Sequence, residues 1–192
     1  LRIGVVMVIY TILRLLFLLF NWNELSALPL SEILFSFFHG LRFDMWAVLY
    51  INVLLTLISA LVPSIKSGYQ KGLRIAYVFL NSIPFLVNVT DLEYFKFTNK
   101  RTDWSVIGIS DDVQDQTGQL LGHYWYLILV FIGIVALLWK IYPIQKSKQY
   151  KFNIVTGFGS FCLLIALNVL GMRGGFQLKP ITPISAYHHG TM

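Results

Sequence analysis

The sequence predicts an all-helical membrane protein, and three observations carry that prediction: its composition, its long apolar segments and the one-sided distribution of its charge. Of the 192 residues, 56% are hydrophobic and 12% are charged, whereas ordinary soluble domains carry about 25% charged residues. A formal net charge of +6 in a soluble chain could indicate a nucleic-acid partner. In a chain this apolar, the placement of the charges is more informative than their sum. The composition excludes a compact soluble domain.

Five apolar segments approach the length of about 20 residues that a helix needs to cross a hydrocarbon layer of about 30 Å. They are residues 3–20, 45–62, 73–89, 124–141 and 152–172. Because backbone polar groups in lipid must be bonded within the segment, runs of this kind predict helices and not the short alternating strands of a barrel. The predicted fold is a bundle of five transmembrane helices over residues 1–172.

Two connections are predicted to lie at the membrane surface as interfacial segments. Residues 29–41 repeat apolar side chains at helical spacing but are too short to span, so we expect a separate helix in the outer interface. Residues 91–123 mix aromatic and charged side chains, a composition that favours the headgroup layer. Beyond the fifth segment, Pro180 and Pro183 follow two glycines, and residues 173–192 are predicted to start an extended linker outside the membrane.

Lysine and arginine residues near the segment ends predict the orientation. The N-terminus and two loops without acidic residues hold Arg2, Lys66, Lys71, Arg74, Lys140, Lys146, Lys148 and Lys151. All nine acidic residues fall on the opposite side. The sequence therefore predicts a cytoplasmic N-terminus and an outer C-terminus. The positive excess then records topology and gives no support to a nucleic-acid partner.

The third segment carries a polar stripe. At 100° per residue, Tyr77, Asn81, Pro84, Asn88 and Asp91 fall within an arc of about 80°. Because polar groups at membrane depth need partners, this face is predicted to point into the bundle.

Charged residues in the predicted outer half form the candidate site. Arg14 lies six residues before the end of the first segment, about 9 Å deep by helix rise. We expect it to pair with Asp91 or Asp44. The full candidate cluster is Arg14, Arg42, Asp44, Asn81, Asn88, Asp91, Glu93 and Arg173. Two roles remain open for it: interhelical bonds that hold the bundle together, and binding of an anionic lipid headgroup.

Other polar and small residues favour structural roles. Asn52 and Asn168 are predicted to form interhelical hydrogen bonds, and Gly133, Gly157 and Gly159 to permit close helix packing. His188 and His189 lack the spacing of a structural zinc site. No nucleophile, base and oxyanion donor can be assembled. The chain alone is predicted to hold neither a catalytic unit nor a cofactor.

Three short motifs carry a resemblance to a known family. Residues 40–44 read Gly-Leu-Arg-Phe-Asp, residues 91–97 read Asp-Leu-Glu-Tyr-Phe-Lys-Phe with Lys100 and Arg101 after them, and residues 173–180 read Arg-Gly-Gly-Phe-Gln-Leu-Lys-Pro. Together with five segments and an outer C-terminus, they resemble the membrane half of the lipoteichoic acid synthase family. Its members are bacterial sulfatase-like phosphoglycerol transferases of the alkaline phosphatase superfamily.

The resemblance implies a function for a longer parent protein in the bacterial cytoplasmic membrane. In that family an outer catalytic domain follows the fifth span and carries a threonine nucleophile and a divalent metal, usually manganese. No position here matches those residues. The parent would transfer glycerophosphate from phosphatidylglycerol, or cleave a related phosphate or sulfate ester. This chain would anchor that domain among membrane lipids, beside its substrate.

Two alternatives stay open at this stage. A phosphoethanolamine transferase also places an outer catalytic domain after five spans and would differ in its donor lipid. A small transporter or channel subunit would use the polar stripe to line a path, although few polar groups face the predicted cytoplasmic half and no paired broken helices are evident.

Overall fold

The computed structural model describes residues 1–61, 67–102, 122–142 and 154–173. Within these ranges the chain forms six helices and no strand. They are α1 (Arg2–Phe20), α2 (Trp22–Leu25), α3 (Leu30–Leu61), α4 (Ser67–Thr98), α5 (Trp125–Ile141) and α6 (Ile154–Met172). The described part of each of the five predicted apolar segments is helical, so the all-helical class is confirmed for the described residues. The predicted linker after Arg173 lies outside the described residues.

Three of these helices are long and apolar enough to cross a membrane: Arg2–Phe20, Leu30–Ser59 and Gly68–Thr98. The apolar stretches Trp125–Ile141 and Phe161–Met172 are shorter. Large apolar side chains point outward along every long helix, among them Leu19, Leu54, Phe79, Leu129 and Leu163. Such faces are unfavourable in water and favourable against acyl chains. The helices therefore indicate a membrane protein.

Helix α3 differs from the prediction at its start. Residues 30–41 form its first three turns, so the separate interfacial helix predicted there is wrong. No proline interrupts the chain between Leu30 and Leu61, and an isolated glycine such as Gly40 costs a helix only about 1 kcal/mol. With 32 residues and a rise of 1.5 Å per residue, α3 is about 48 Å long and exceeds the hydrocarbon layer of about 30 Å.

The core of the bundle is built by α1, α3 and α4, which pack against one another. Helix α5 packs on α4 and α1, and α6 packs on α3. Tyr10 and Phe85 meet edge to face with ring centroids 5.3 Å apart, and Leu13 and Val48 are buried in the same apolar cluster. The core is thus aromatic and aliphatic at mid-bundle, with polar groups above and below it.

Two ends of the bundle are defined by contacts between helices. At the Phe20 end, Phe20 stacks on Tyr126 at 6.3 Å. The Asn21 side-chain amide lies at the same end and donates to the Leu92 carbonyl at 3.2 Å. Helices α1 and α4 therefore run toward this end, and α5 begins there.

At the opposite Arg2 end, the Tyr77 hydroxyl donates to the Arg2 carbonyl at 2.8 Å. The Arg74 guanidinium donates to the Trp139 carbonyl and lies 4.1 Å from the centre of its ring. Helix α5 therefore ends beside the start of α4, which is the antiparallel arrangement expected of successive membrane helices.

Close helix approach occurs at glycines other than those predicted. A Cβ placed on Gly171 would overlap the Leu49 side chain, whereas among the described residues nothing lies within 4 Å of a Cβ on Gly133 or Gly159. The close packing predicted at Gly133 and Gly159 is thus not found in the described part of the chain, and the side-chain surroundings of Gly157 lie outside it. The sequence shows small residues, but not which helix face meets a neighbour.

Candidate functional site

An ion pair between Arg14 of α1 and Asp44 of α3 lies near the Phe20 end. The Arg14 guanidinium donates through Nη2 to Asp44 Oδ2 at 2.5 Å and through Nη1 to the Phe37 carbonyl at 3.0 Å. The two side chains retain 17% and 15% exposure. The sequence predicts Asp91 or Asp44 as the partner of Arg14, and the structure shows that it is Asp44. Charge-assisted hydrogen bonds of this kind are the strong ones away from water.

Gly40 makes room for this pair. A Cβ at this position would overlap the Arg14 guanidinium. Gly40 lies one helical turn before Asp44, on the face of α3 that meets α1. The absent side chain therefore lets the guanidinium lie flat against the α3 backbone, where it reaches a carbonyl and a carboxylate together.

Asp91 near the end of α4 is held by the segment that follows the helix. Arg101 donates through Nε to Asp91 Oδ2 at 3.0 Å and through Nη2 to Asn88 Oδ1 at 2.9 Å. The Thr102 backbone N–H donates to Asp91 Oδ1 at 2.7 Å. The chain reverses at Asn99, which has φ of 51°, a left-handed conformation that asparagine tolerates. Asp91 is 4% exposed while Arg101 is 54% exposed.

The guanidinium groups of Arg14 and Arg101 both lie beside one aromatic side chain, that of Phe17. The Arg101 guanidinium lies 5.2 Å from the centre of the Phe17 ring. Phe17 also contacts Phe95 of α4 edge to face at 5.1 Å. Because Phe17 follows Arg14 by three residues, it lies beside Arg14 on the same face of α1. Arg14 and Arg101 therefore flank Phe17.

Deeper in the bundle, the side-chain amides of Asn52 and Asn81 form two hydrogen bonds with each other. Asn52 Nδ2 donates to Asn81 Oδ1 at 3.0 Å, and Asn81 Nδ2 donates to Asn52 Oδ1 at 2.9 Å. Each amide also donates to a carbonyl of its own helix, Val48 for Asn52 and Tyr77 for Asn81. The interhelical bond predicted for Asn52 is confirmed.

Asn168 does not follow the same pattern. Its amide donates to the Leu164 carbonyl in its own helix at 2.8 Å, and its Oδ1 has no partner among the described residues. The interhelical bond predicted for it is therefore not found in the part of the chain that is described.

The polar stripe of α4 faces the bundle, as predicted. Tyr77, Asn81 and Asp91 are buried, and Asn88 and Pro84 are half-buried. Every member of the stripe with a polar side chain forms a hydrogen bond to a neighbouring helix, to its own helix or to Arg101. Hydrogen bonds within the protein are therefore present along the whole length of the stripe.

The remaining candidate residues are more peripheral. Glu93 accepts a bond from Lys96 at 2.8 Å one turn later on α4, and Lys96 lies 5.4 Å from the Phe20 ring centre. Arg42 is half-buried on α3, two residues before Asp44, and Arg173 is exposed directly after α6. The eight predicted residues thus separate into the Arg14–Asp44 pair, the Asp91–Asn88 site, the deeper Asn81 layer and peripheral charges.

A cavity of about 320 Å³ opens between α1, the connection after α2 and the first turns of α3. Its polar lining is formed by Arg14, Arg101, Ser36 and His39, and the rest is apolar or backbone. The carboxylates of Asp44 and Asp91 hold the two guanidinium groups but do not line the cavity. We call this feature the Arg14 cavity.

Arg101 lies at this site although the predicted candidate cluster does not contain it. The available signal was the basic pair Lys100-Arg101, which follows Asp91 and Glu93 shortly after the third apolar segment. Helix periodicity could not predict its position, because the chain reverses at Asn99 and the register of α4 no longer applies.

In the described ranges, no group of three or more histidine, cysteine or acidic side chains could hold a metal ion. Comparisons with known protein families, with curated proteins and with solved structures find no match for the chain.

Proposed function

We propose that the chain is the membrane domain of a bacterial sulfatase-like phosphoglycerol transferase and holds a catalytic domain beside its lipid substrate at the outer face of the cytoplasmic membrane. The observation that carries the proposal is the gathering of charged contacts at one end of the bundle. The pairs Arg14–Asp44 and Arg101–Asp91 both lie at the Phe20 end. The resemblance of the motifs around Asp44, Asp91 and Arg173 supplies the reaction class.

The charge distribution supports an orientation with the Phe20 end outside. All five acidic residues in the described ranges, Glu24, Glu32, Asp44, Asp91 and Glu93, lie in or beyond the half of the bundle toward the Phe20 end. The Arg2 end has Arg2, Lys71, Arg74 and Lys140. Positive side chains mark cytoplasmic ends. In this proposal all five long helices cross the membrane, with the N-terminus inside and Arg173 outside.

The contribution of the membrane domain to the reaction is proximity. A catalytic domain that follows α6 would carry the threonine nucleophile and the divalent metal that the resemblance implies. Anchoring it at the lipid surface replaces a three-dimensional search by positioning, which is an entropic advantage. The residues of this chain act by fixing helix positions and the level of the headgroup, and they take no part in bond breaking.

A transport path is not favoured by the packing. Asn52 and Asn81 bond to each other, and Tyr77 bonds to the Arg2 carbonyl. These contacts block a path along the polar stripe of α4 at two positions, Asn81 and Tyr77. A phosphoethanolamine transferase would share the same scaffold and remains distinguishable by its donor lipid.

The test is turnover by the full-length protein in liposomes. With manganese and labelled phosphatidylglycerol, we expect release of labelled diacylglycerol: the bond between its oxygen and phosphorus breaks, the phosphorus bonds to the oxygen of an acceptor hydroxyl, and the proton of that hydroxyl passes to the diacylglycerol oxygen. Turnover with phosphatidylethanolamine instead would identify the phosphoethanolamine alternative. A coding sequence without a sulfatase-like domain after residue 192, or solute flux through liposomes that contain residues 1–192, would contradict the proposal.

A further inference from the structure

We infer that the Arg14 cavity binds one anionic phospholipid, with the phosphate between Arg14 and Arg101 and the first carbons of an acyl chain along the apolar wall. The inference rests on the proposed function only for placing this cavity in the outer leaflet. It names a ligand class for a feature of the bundle that lies outside any catalytic domain.

The shape of the cavity fits part of a lipid. Its volume of about 320 Å³ lies at the lower end of the range of about 300 to 1,000 Å³ for small-molecule sites. Its apolar wall comes from two elements and the connection between them: Phe17, Leu18, Leu28, Ile33 and Phe43. A headgroup and the adjoining carbons fit such a space, while the rest of the lipid stays in the bilayer.

The charge of the lining selects an anion. Arg14 and Arg101 line the cavity, and no carboxylate does so among the described residues. A guanidinium has five N–H donors. The bonds to Asp44 and Phe37 use two of those of Arg14, and the bonds to Asp91 and Asn88 use two of those of Arg101. The carboxylates thus orient both guanidinium groups from behind, and further donors remain for a phosphate, which guanidinium binds with two parallel bonds.

The depth of the two arginines fits a lipid that enters from the membrane surface. Arg101 is half-exposed beyond the end of α4, and Arg14 lies about 9 Å below the end of α1 by helix rise. The Phe17 side chain lies between the guanidinium groups of Arg14 and Arg101. A phosphate between the two guanidinium groups therefore allows the first carbons of an acyl chain to follow the wall formed by α1 and α3.

Lipid retention by the full-length protein tests the inference. The purified protein in detergent micelles is mixed with equal amounts of phosphatidylglycerol and phosphatidylcholine of the same acyl composition, and bound lipid is counted by native mass spectrometry. We expect phosphatidylglycerol to be retained about tenfold over phosphatidylcholine, as one net charge-assisted hydrogen bond implies.

Ser36→Trp is the variant that fills the cavity and leaves both ion pairs intact. Ser36 is exposed on α3 and lines the cavity, whereas Leu34 is exposed on the same helix and does not. We expect Ser36→Trp to abolish the preference for phosphatidylglycerol and Leu34→Trp to retain it. Thermal melting of each variant checks that the fold is kept.

A second pair of variants tests the charge. Arg101→Gln is expected to lower retention of phosphatidylglycerol about tenfold, and Arg101→Lys to keep part of it. Lys100→Gln is the matched control, because Lys100 is exposed and does not line the cavity. Equal retention of the two lipids, equal effects of Ser36→Trp and Leu34→Trp, or displacement of the lipid by millimolar glycerol phosphate would each overturn the inference.

The outcomes separate this inference from the proposed function. Selective retention without turnover would leave the lipid site and remove the transferase assignment. Turnover with phosphatidylglycerol but without selective retention would leave the transferase assignment and remove the lipid site.

Discussion

At the scale of single residues, a small number of polar contacts join the helices, and the Arg14–Asp44 pair is among the least exposed of the ion pairs in the described ranges. Arg14 meets Asp44 and the Phe37 carbonyl on α3, where both charged side chains are largely buried. A buried charge that loses its partner is destabilised more strongly than the intact pair is stabilised. Double-mutant cycles therefore measure these contacts better than single substitutions.

Asp44→Asn is expected to lower the free energy of unfolding by about 2 kcal/mol, since removal of one member of a buried pair costs about 3–5 kcal/mol and this pair keeps some exposure. Arg14→Gln combined with Asp44→Asn should cost less than the sum of the two single variants. Reversible unfolding in mixed detergent micelles measures all three. Additive effects would show that the two side chains do not interact.

Asn81→Leu is expected to destabilise the protein by about 0.6–2 kcal/mol, the range for interhelical polar contacts in membranes, because Asn52 Oδ1 loses its donor. Asn168→Leu is the matched control, since Asn168 bonds only within its own helix in the described structure and its Oδ1 is unpaired there. We expect it to be neutral or slightly stabilising. A loss at Asn168 as large as at Asn81 would contradict this assignment.

Residue depth was predictable from the sequence, but residue pairing was not. Helix rise places Arg14, Asp44 and Asp91 in the same half of the bundle, which leaves two partners for Arg14. The structure separates them because Arg101 returns after Asn99 and takes Asp91. A turn outside the helix decides the pairing, and helical periodicity contains no information about it.

At the scale of elements, α3 and α6 depart most from expectation. The short apolar pattern of residues 29–41 predicts a separate helix, yet nothing between Leu30 and Leu61 stops a helix. Helix α6 packs on α3, with Gly171 against Leu49. Helix type was predictable from apolar length, whereas boundaries and contact faces depend on neighbours.

The continuity of α3 is measurable by the distance between spin labels at Ser36 and Leu54. Both positions are exposed, and 18 residues at 1.5 Å correspond to about 27 Å in a straight helix. A helix that turned into the interface near residue 43 would give about 20 Å by the same rise. Double electron–electron resonance in nanodiscs separates the two values.

Gly171→Ala is expected to destabilise the contact between α6 and α3 by about 1–3 kcal/mol, as overpacking does. Gly133→Ala is the control, because its surroundings are open and alanine favours a helix by about 0.5–1 kcal/mol. The double variant Gly171→Ala with Leu49→Ala should cost less than the sum of the two single variants, because the overlap is removed with the Leu49 side chain. Equal stability of Gly171→Ala and Gly133→Ala would contradict the close approach.

At the scale of the whole molecule, the bundle combines an apolar exterior with one half that is rich in charged contacts. The five acidic residues of the described ranges lie in or beyond the half toward the Phe20 end, and the basic residues at the Arg2 end have no acidic neighbours there in those ranges. The positive net charge of the chain is then a consequence of orientation. The membrane class was predictable from composition, and the Arg14 cavity was not, because it depends on how three elements meet.

The most direct measurement of the central claim is the side from which an impermeant thiol reagent labels single cysteines. In a Cys162→Ser background, cysteines replace Gly68, Lys100 and Lys140, which are all exposed. Five crossings with the Phe20 end outside predict that Lys100→Cys is labelled in intact cells, and that Gly68→Cys and Lys140→Cys are labelled only after permeabilisation. Labelling of Lys140→Cys from the same side as Lys100→Cys would contradict a five-helix membrane domain.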